Sequence, residues 1–108
     1  MKLITAIVQD VDADVLIEEI IKSGFRVTKM STTGGFLKSG NTTLLIGTDN
    51  ENVESVLNII DKNCKTREVT KTIQTINIPG QAMIPVPIQV KIGGANVFVL
   101  DVVDFKRY

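Results

Sequence analysis

Few residues in this sequence of 108 amino acids could perform chemistry, and none of them is a histidine. Zinc and copper sites usually need imidazole or several thiolates, and most acid–base catalysis near neutral pH uses histidine. Asp10, Asp12 and Asp14 lie close together, but they stand where a helix is predicted to begin. Capping and the positive end of the helix dipole explain carboxylates there. We therefore predict no metal site, no cofactor and no enzymatic activity.

The only cysteine, Cys64, has no second cysteine for a disulfide and no histidine to activate it as a nucleophile. We expect it to pack in the interior of a protein from a reducing compartment. The apolar run at the N-terminus is too short for a signal peptide or a membrane span. These observations predict a cytoplasmic protein.

A stretch rich in threonine and glycine, residues 32–37, offers two kinds of binding group. Its hydroxyls and glycine N–H groups can contact an anion, and Phe36 and Leu37 present apolar side chains on a predicted loop. An adenine ring would cover them, since base stacking on an aromatic side chain contributes about 1 to 3 kcal/mol. Gly34 and Gly35 lack the spacing of a phosphate-binding motif, and loop flexibility also explains them.

The flanks of this loop carry further candidates. Arg26 and Thr28 are two residues apart on a predicted strand, so they point to the same face, where Arg26 could donate to a phosphate. Asn41 offers the donor and acceptor pair that reads an adenine edge. The alternatives remain a surface arginine beside a surface threonine, and a turn asparagine.

Hydropathy patterns predict the order strand, helix, strand, strand, helix, strand, with additional β structure near the C-terminus. Gly24 is predicted to end the first helix. Gly93-Gly94 is predicted to join the last two strands as a two-residue hairpin, and Pro85 and Pro87 place the first of these strands at a sheet edge. The predicted segments are strands 3–8, 25–30 and 42–47, helices 12–23 and 53–60, an extended ribbon 65–78, and strands 86–92 and 95–100.

This order predicts a single α+β domain over residues 1–108 with the ferredoxin-like, or split βαβ, arrangement. Two helices cover one face of an antiparallel sheet, and we expect association to bury the other face. Twelve acidic residues balance twelve basic ones. Because nucleic-acid binders normally show a basic excess, we predict no nucleic-acid partner and no membrane partner.

Five segments carry a resemblance to a known family: residues 6–10, residues 25–29, residues 32–43 with the sequence Thr-Thr-Gly-Gly-Phe-Leu-Lys-Ser-Gly-Asn-Thr-Thr, residues 84–87 and residues 93–99. They closely resemble the PII-like cyclic di-AMP receptor proteins of Gram-positive bacteria. The resemblance implies a homotrimer with one cyclic di-AMP in each cleft between neighbouring subunits. It implies ligand contacts for six positions: Arg26, Thr28, Phe36, Leu37, Asn41 and Gly47. Gly35, through its backbone N–H, and Arg107, which stands in place of a family glutamine that helps hold the ligand, complete the eight predicted ligand-contact residues.

The chain departs from that family at a shorter stretch, residues 78–83, and at Arg107. Arg107 could add a phosphate contact or clash with the base. The leading hypothesis is a cyclic di-AMP receptor that signals through loop conformation to an unidentified downstream protein. The alternatives are a sensor of the same fold for ATP or ADP, a small enzyme of the ferredoxin-like fold, and a purely structural trimer.

Overall fold

Six strands, two α-helices and a short 3₁₀-helix form in residues 1–30, 40–75 and 84–108, the parts of the chain that this computed structural model describes. In chain order they are β1 (Lys2–Gln9), α1 (Asp10–Lys22), β2 (Thr28–Met30), β3 (Asn41–Thr48), the 3₁₀-helix (Asn50–Asn52), α2 (Val53–Cys64), β4 (Arg67–Thr75), β5 (Ile84–Ile92) and β6 (Ala95–Asp101). The predicted alternation of strands and helices is confirmed.

The main sheet has the strand order β2-β3-β1-β6, and every neighbouring pair is antiparallel. Strand β1 lies in the middle, between β3 and β6. This order and the two helices make the α+β, ferredoxin-like prediction correct, with β6 as the fourth strand of the sheet. Strands β4 and β5 form a separate two-stranded antiparallel sheet, which we call the ribbon.

The core lies between the main sheet and the two helices. On β1, the alternate residues Ile4, Ala6 and Val8 are buried, while their neighbours on the strand are only half-buried. This period of two predicts a strand with one covered face. The buried apolar residues join in one cluster, consisting of Ile4, Ala6, Val8, Ala13, Leu16, Ile20, Leu44, Ile46, Val56, Ile60 and Cys64.

Among the described elements, none covers the other face of the main sheet. The residues that alternate with the buried ones along each strand point to this side, and we call this surface the open face. On β6, the side chains of Phe98 and Leu100 are 55% and 49% exposed. They lie opposite Thr5 and Leu3 of β1. Exposed aromatic and aliphatic side chains in one patch are typical of an association surface.

Helix α1 ends as Gly24 predicts. The N–H of Gly24 donates to the carbonyl of Ile21 at 3.0 Å, and the N–H of Phe25 donates to the carbonyl of Ile20 at 3.2 Å. Together with a φ of +89° at Gly24, these two bonds form a Schellman motif. The motif turns the chain so that Phe25 packs against the core.

The predicted hairpin between residues 86–92 and 95–100 is wrong. Strand β5 pairs with β4, and β6 pairs with β1. Gly93 and Gly94 do have positive φ values, +87° and +94°, but they lead the chain out of the ribbon and into the main sheet. The extra antiparallel pair near the C-terminus therefore consists of β4 and β5. In this pair β5 is an edge strand, as its prolines predict.

Neither helix in the described parts of the chain is long and apolar enough to cross a membrane.

Packing against the sheet predicts that two neighbouring residues of α1 differ in how much stability is lost when each is replaced by alanine. Leu16 is fully buried, whereas Val15 is 54% exposed. We expect Leu16→Ala to lower the free energy of unfolding by about 2 to 5 kcal/mol, because it removes core contacts and leaves a cavity. The control, Val15→Ala, should change it by less than about 0.5 kcal/mol. Urea denaturation at one fixed protein concentration measures both, and equal effects would contradict this assignment of the core.

Candidate ligand-binding site

Five of the eight predicted ligand-contact residues lie in the described part of the chain: Arg26, Thr28, Asn41, Gly47 and Arg107. The other three, Gly35, Phe36 and Leu37, lie outside the described residues.

Arg26 and Thr28 are exposed because the residues between and beside them are drawn into the core. Phe25 and Val27 pack against the buried cluster, so alternation along the chain turns Arg26 and Thr28 to the opposite side. Thr28 lies opposite Leu45 of β3. A guanidinium and a hydroxyl therefore stand on the open face at the edge of the sheet, where a phosphate could accept bonds from both.

Gly47 is a glycine that this fold does not require. Its φ is not positive, and a Cβ placed on it would meet no other atom within 4 Å. Glycine inside a strand weakens the strand, and it often marks a place where a ligand or another backbone approaches closely. Gly47 comes two residues after Leu45, the partner of Thr28, so it lies toward the Arg26 end of the β2–β3 pair.

Asn41 begins β3, opposite Gln9, and is half-buried. Asp10 holds both of its neighbours. The N–H of Asp10 donates to the carbonyl of Gly40 at 2.9 Å, and the Thr42 hydroxyl donates to Asp10 Oδ1 at 2.6 Å. A Cβ on Gly40 would lie 2.8 Å from the Cγ of Asp10, so a larger residue here would displace the Asp10 carboxylate. The backbone at Asn41 is therefore fixed from both sides.

The structure brings some predicted residues together and separates others. Arg26, Thr28 and Gly47 lie toward one end of β3, whereas Asn41 lies at the other end, six residues or about 20 Å from Gly47 along the strand. Arg107 is exposed in the segment after β6, which has no regular secondary structure. One chain therefore presents these groups as separate surfaces rather than as one enclosed pocket.

The acidic residues near the start of α1 lie in its first turn, as expected from the helix dipole, but the predicted side-chain cap is not observed. No side-chain capping bond forms at Gln9, the residue that precedes α1. Instead Asp12 is only 5% exposed and receives both arms of the Arg67 guanidinium, with Nη2 at 2.6 Å from Oδ1 and Nη1 at 3.3 Å from Oδ2. Nη1 also donates to the carbonyl of Lys65 at 3.1 Å. The hydrogen bond from Arg67 to Asp12 raises the pKa of the guanidinium.

Cys64 packs in the core, as predicted, and is 1% exposed. Burial, and to a smaller extent the Asp12 carboxylate, raises the pKa of its thiol from 9.0 to about 11, while Arg67 acts in the opposite direction. At neutral pH the group is therefore a thiol rather than a reactive thiolate. A cleft of about 310 Å³ opens beside Cys64 between α2 and β6, and none of the five described ligand-contact residues lines it.

Over the parts of the chain that the structure describes, no cluster of three or more histidine, cysteine or carboxylate side chains could hold a metal ion.

Comparison with known proteins identifies a family for this chain and a similar solved structure. A family described as cyclic-di-AMP receptor matches residues 1–108, which is the whole chain. A similar solved structure is the crystal structure of a functionally unknown protein from Pediococcus pentosaceus ATCC 25745. It is 48% identical, the match covers 99% of this chain and 96% of the other, and the TM-score is 0.78.

The raised pKa of Cys64 predicts a loss of stability at high pH. Above pH 9 the thiol of the unfolded chain ionises while that of the folded chain stays protonated until about pH 11. The unfolded state is therefore favoured increasingly over this range. Cys64→Ala lacks this effect, so the difference in unfolding free energy between wild type and variant should narrow from pH 9 to 11. Denaturant titrations at several pH values measure it, and a constant difference would contradict the shift.

Proposed function

Because this chain belongs to the cyclic-di-AMP receptor family, we propose that it binds cyclic di-AMP as a cytoplasmic signalling receptor and catalyses no reaction. The observation that carries this proposal is the family match over all 108 residues. The absence of histidine agrees with it, because binding needs hydrogen-bond donors and apolar surfaces rather than a general base.

The described residues supply the chemistry that such a ligand needs. Cyclic di-AMP offers two phosphates, which are bound by charge-assisted donors, and two adenines, which are read by paired donors and acceptors. In this proposal Arg26 and Thr28 contact phosphate and base, Gly47 allows the ligand close to the backbone, and Asn41 contacts a base edge. Gly35, Phe36 and Leu37 are proposed as packing contacts from the sequence resemblance alone.

We propose that the complete site forms between subunits of a homotrimer. Two observations support this arrangement. The open face carries exposed apolar side chains, including Phe98 and Leu100. In addition, Asn41 and Gly47 stand about 20 Å apart on one strand. Contacts from two neighbouring chains would bring an Arg26–Gly47 surface and an Asn41 surface to opposite sides of one ligand.

A second candidate ligand is ATP or ADP, bound by the same fold. Arg107, which stands where the family has glutamine by resemblance, favours this candidate because a further guanidinium suits a more highly charged phosphate chain. Thermal unfolding against a panel of cyclic di-AMP, ATP and ADP separates the two. At a hundredfold its dissociation constant, a ligand stabilises the folded protein by about 2.7 kcal/mol.

Calorimetric titration of the full chain with cyclic di-AMP is the direct test of the proposed function. We expect one site per subunit, and sedimentation equilibrium at the same concentration should give a trimer. A saturable binding heat with ATP, and no binding heat with cyclic di-AMP, would identify the second candidate as the ligand. A stable monomer would remove the site between subunits.

Loss of Arg26 should weaken the complex selectively. We expect Arg26→Ala to lower cyclic di-AMP affinity about ten- to a hundredfold, because one charge-assisted hydrogen bond is lost. The matched control is Lys62→Ala, which removes an exposed cation near the end of α2. The control should bind as the wild type does, and sedimentation should show the same assembly for both. Equal affinities for the two variants would return Arg26 to the role of a surface residue.

A substitution at Gly47 should change the ligand affinity without lowering the stability of the fold. We expect Gly47→Ala to leave the free energy of unfolding unchanged or higher by about 0.4 to 1 kcal/mol, since the new methyl group has free space and the unfolded chain loses entropy. Cyclic di-AMP affinity should nevertheless fall, because the methyl group occupies the space assigned to the ligand. Denaturation and calorimetry on one preparation measure both. Unchanged affinity would remove Gly47 from the site.

A further inference from the structure

The first turn of α1 touches two distant parts of the chain. On one side Asp10 bonds to Gly40 and Thr42, the neighbours of the proposed ligand contact Asn41. On the other side Gln9 and Asp12 bond to the base of the ribbon. We call Gln9, Asp10 and Asp12 the α1 relay, because three residues of one short segment join these two regions.

The bonds to the ribbon are directional and close. The N–H of Gly93, at the end of β5, donates to Gln9 Oε1 at 2.7 Å. Arg67, the first residue of β4, forms its two-armed pair with Asp12. A Cβ on Gly93 would lie 2.6 Å from the carbonyl oxygen of Lys65 and 2.7 Å from Nη1 of Arg67. Both strands of the ribbon are therefore held where they leave the domain, with no spare space between them.

The ribbon depends on these contacts for its orientation. Its strands pair with each other and with no strand of the main sheet in the parts of the chain that the structure describes. The N–H of Gly94 also donates to the carbonyl of Cys64, at the end of α2. Asp12 is buried and both of its carboxylate oxygens accept bonds from Arg67, so a movement of the first turn of α1 would act on the start of β4.

We propose that the α1 relay couples occupancy of the site at Asn41 to the base of the ribbon. This inference rests on the proposed function, in which cyclic di-AMP is the ligand that contacts Asn41. A ligand bound at Asn41 fixes the start of β3, Asp10 transmits the constraint to the first turn of α1, and Gln9 and Asp12 hold Gly93 and Arg67 more firmly. The ribbon thereby becomes a surface whose order reports the ligand to a partner.

Hydrogen exchange on the full-length protein, with and without saturating cyclic di-AMP, tests this coupling. We expect the ligand to slow exchange in residues 67–75 and 84–92 by about fivefold, the lower end of usual couplings between sites. Two variants weaken the relay differently. Arg67→Lys keeps the charge beside Asp12 but loses the second arm, and Gln9→Leu removes the acceptor of the Gly93 N–H. Glu18→Gln is the control, since it breaks only the exposed ion pair with Lys22.

Coupling between sites is reciprocal, and this separates a relay from a merely structural contact. In each relay variant, cyclic di-AMP should slow hydrogen exchange in the ribbon much less than it does in the wild type. The affinity of the variant for cyclic di-AMP should also fall, but by no more than the factor by which the ligand slows ribbon exchange in the wild type. The control should match the wild type in both measurements. If one relay variant fails to fold, as judged by circular dichroism, the other gives the result.

Two outcomes would overturn the relay and leave the proposed function in place: saturated binding with no change of exchange in the wild-type ribbon, or variants that respond as fully as the wild type. Absence of any cyclic di-AMP binding by the wild type would instead overturn the proposed function, and the relay with it.

Discussion

Strand β1 can bury only one of its faces within this chain, because both helices pack on the same side of the sheet. Ile4, Ala6 and Val8 fill that side and are at most 1% exposed. The alternate residues must then point to the open face, where the neighbouring strands add Leu45 and Phe98 to the same surface. The pleat thus divides the molecule into a face that holds the fold together and a face that is available to other molecules.

Local patterns in the sequence were sufficient for the elements that depend on local physics. The short apolar run at residues 3–8 and the glycine after α1 predicted a strand and a helix end that the structure shows. They failed where pairing is decided by distant residues. Gly93-Gly94 has the backbone preference of a tight hairpin, yet β6 gains more by pairing along β1 beside the core. Arg67 and Asp12 are 55 residues apart, and no spacing rule links them.

The predicted binding residues show the same limit. Types and spacing indicated that Arg26 and Thr28 share a face, because a strand alternates, and the packing of Phe25 and Val27 agrees with this. That Gly47 has open space above it could not be derived from sequence, since the space depends on what neighbouring strands leave empty. The cleft beside Cys64 lies elsewhere. In the proposed homotrimer, recognition through separate exposed surfaces would make ligand affinity depend on how the subunits assemble, and therefore on protein concentration.

The ribbon is joined to the domain at its base and pairs otherwise with itself. Adding or removing two residues in each of its strands, at paired positions, would keep every cross-strand pair on its own face of the ribbon, while the contacts of Arg67 and Gly93 stayed where they are. Lineages can therefore change the length of this arm by insertion or deletion without disturbing the register of the main sheet. In the coupling proposed above, the arm could therefore be fitted to a different partner while the sheet and helices that carry the proposed ligand contacts are inherited unchanged.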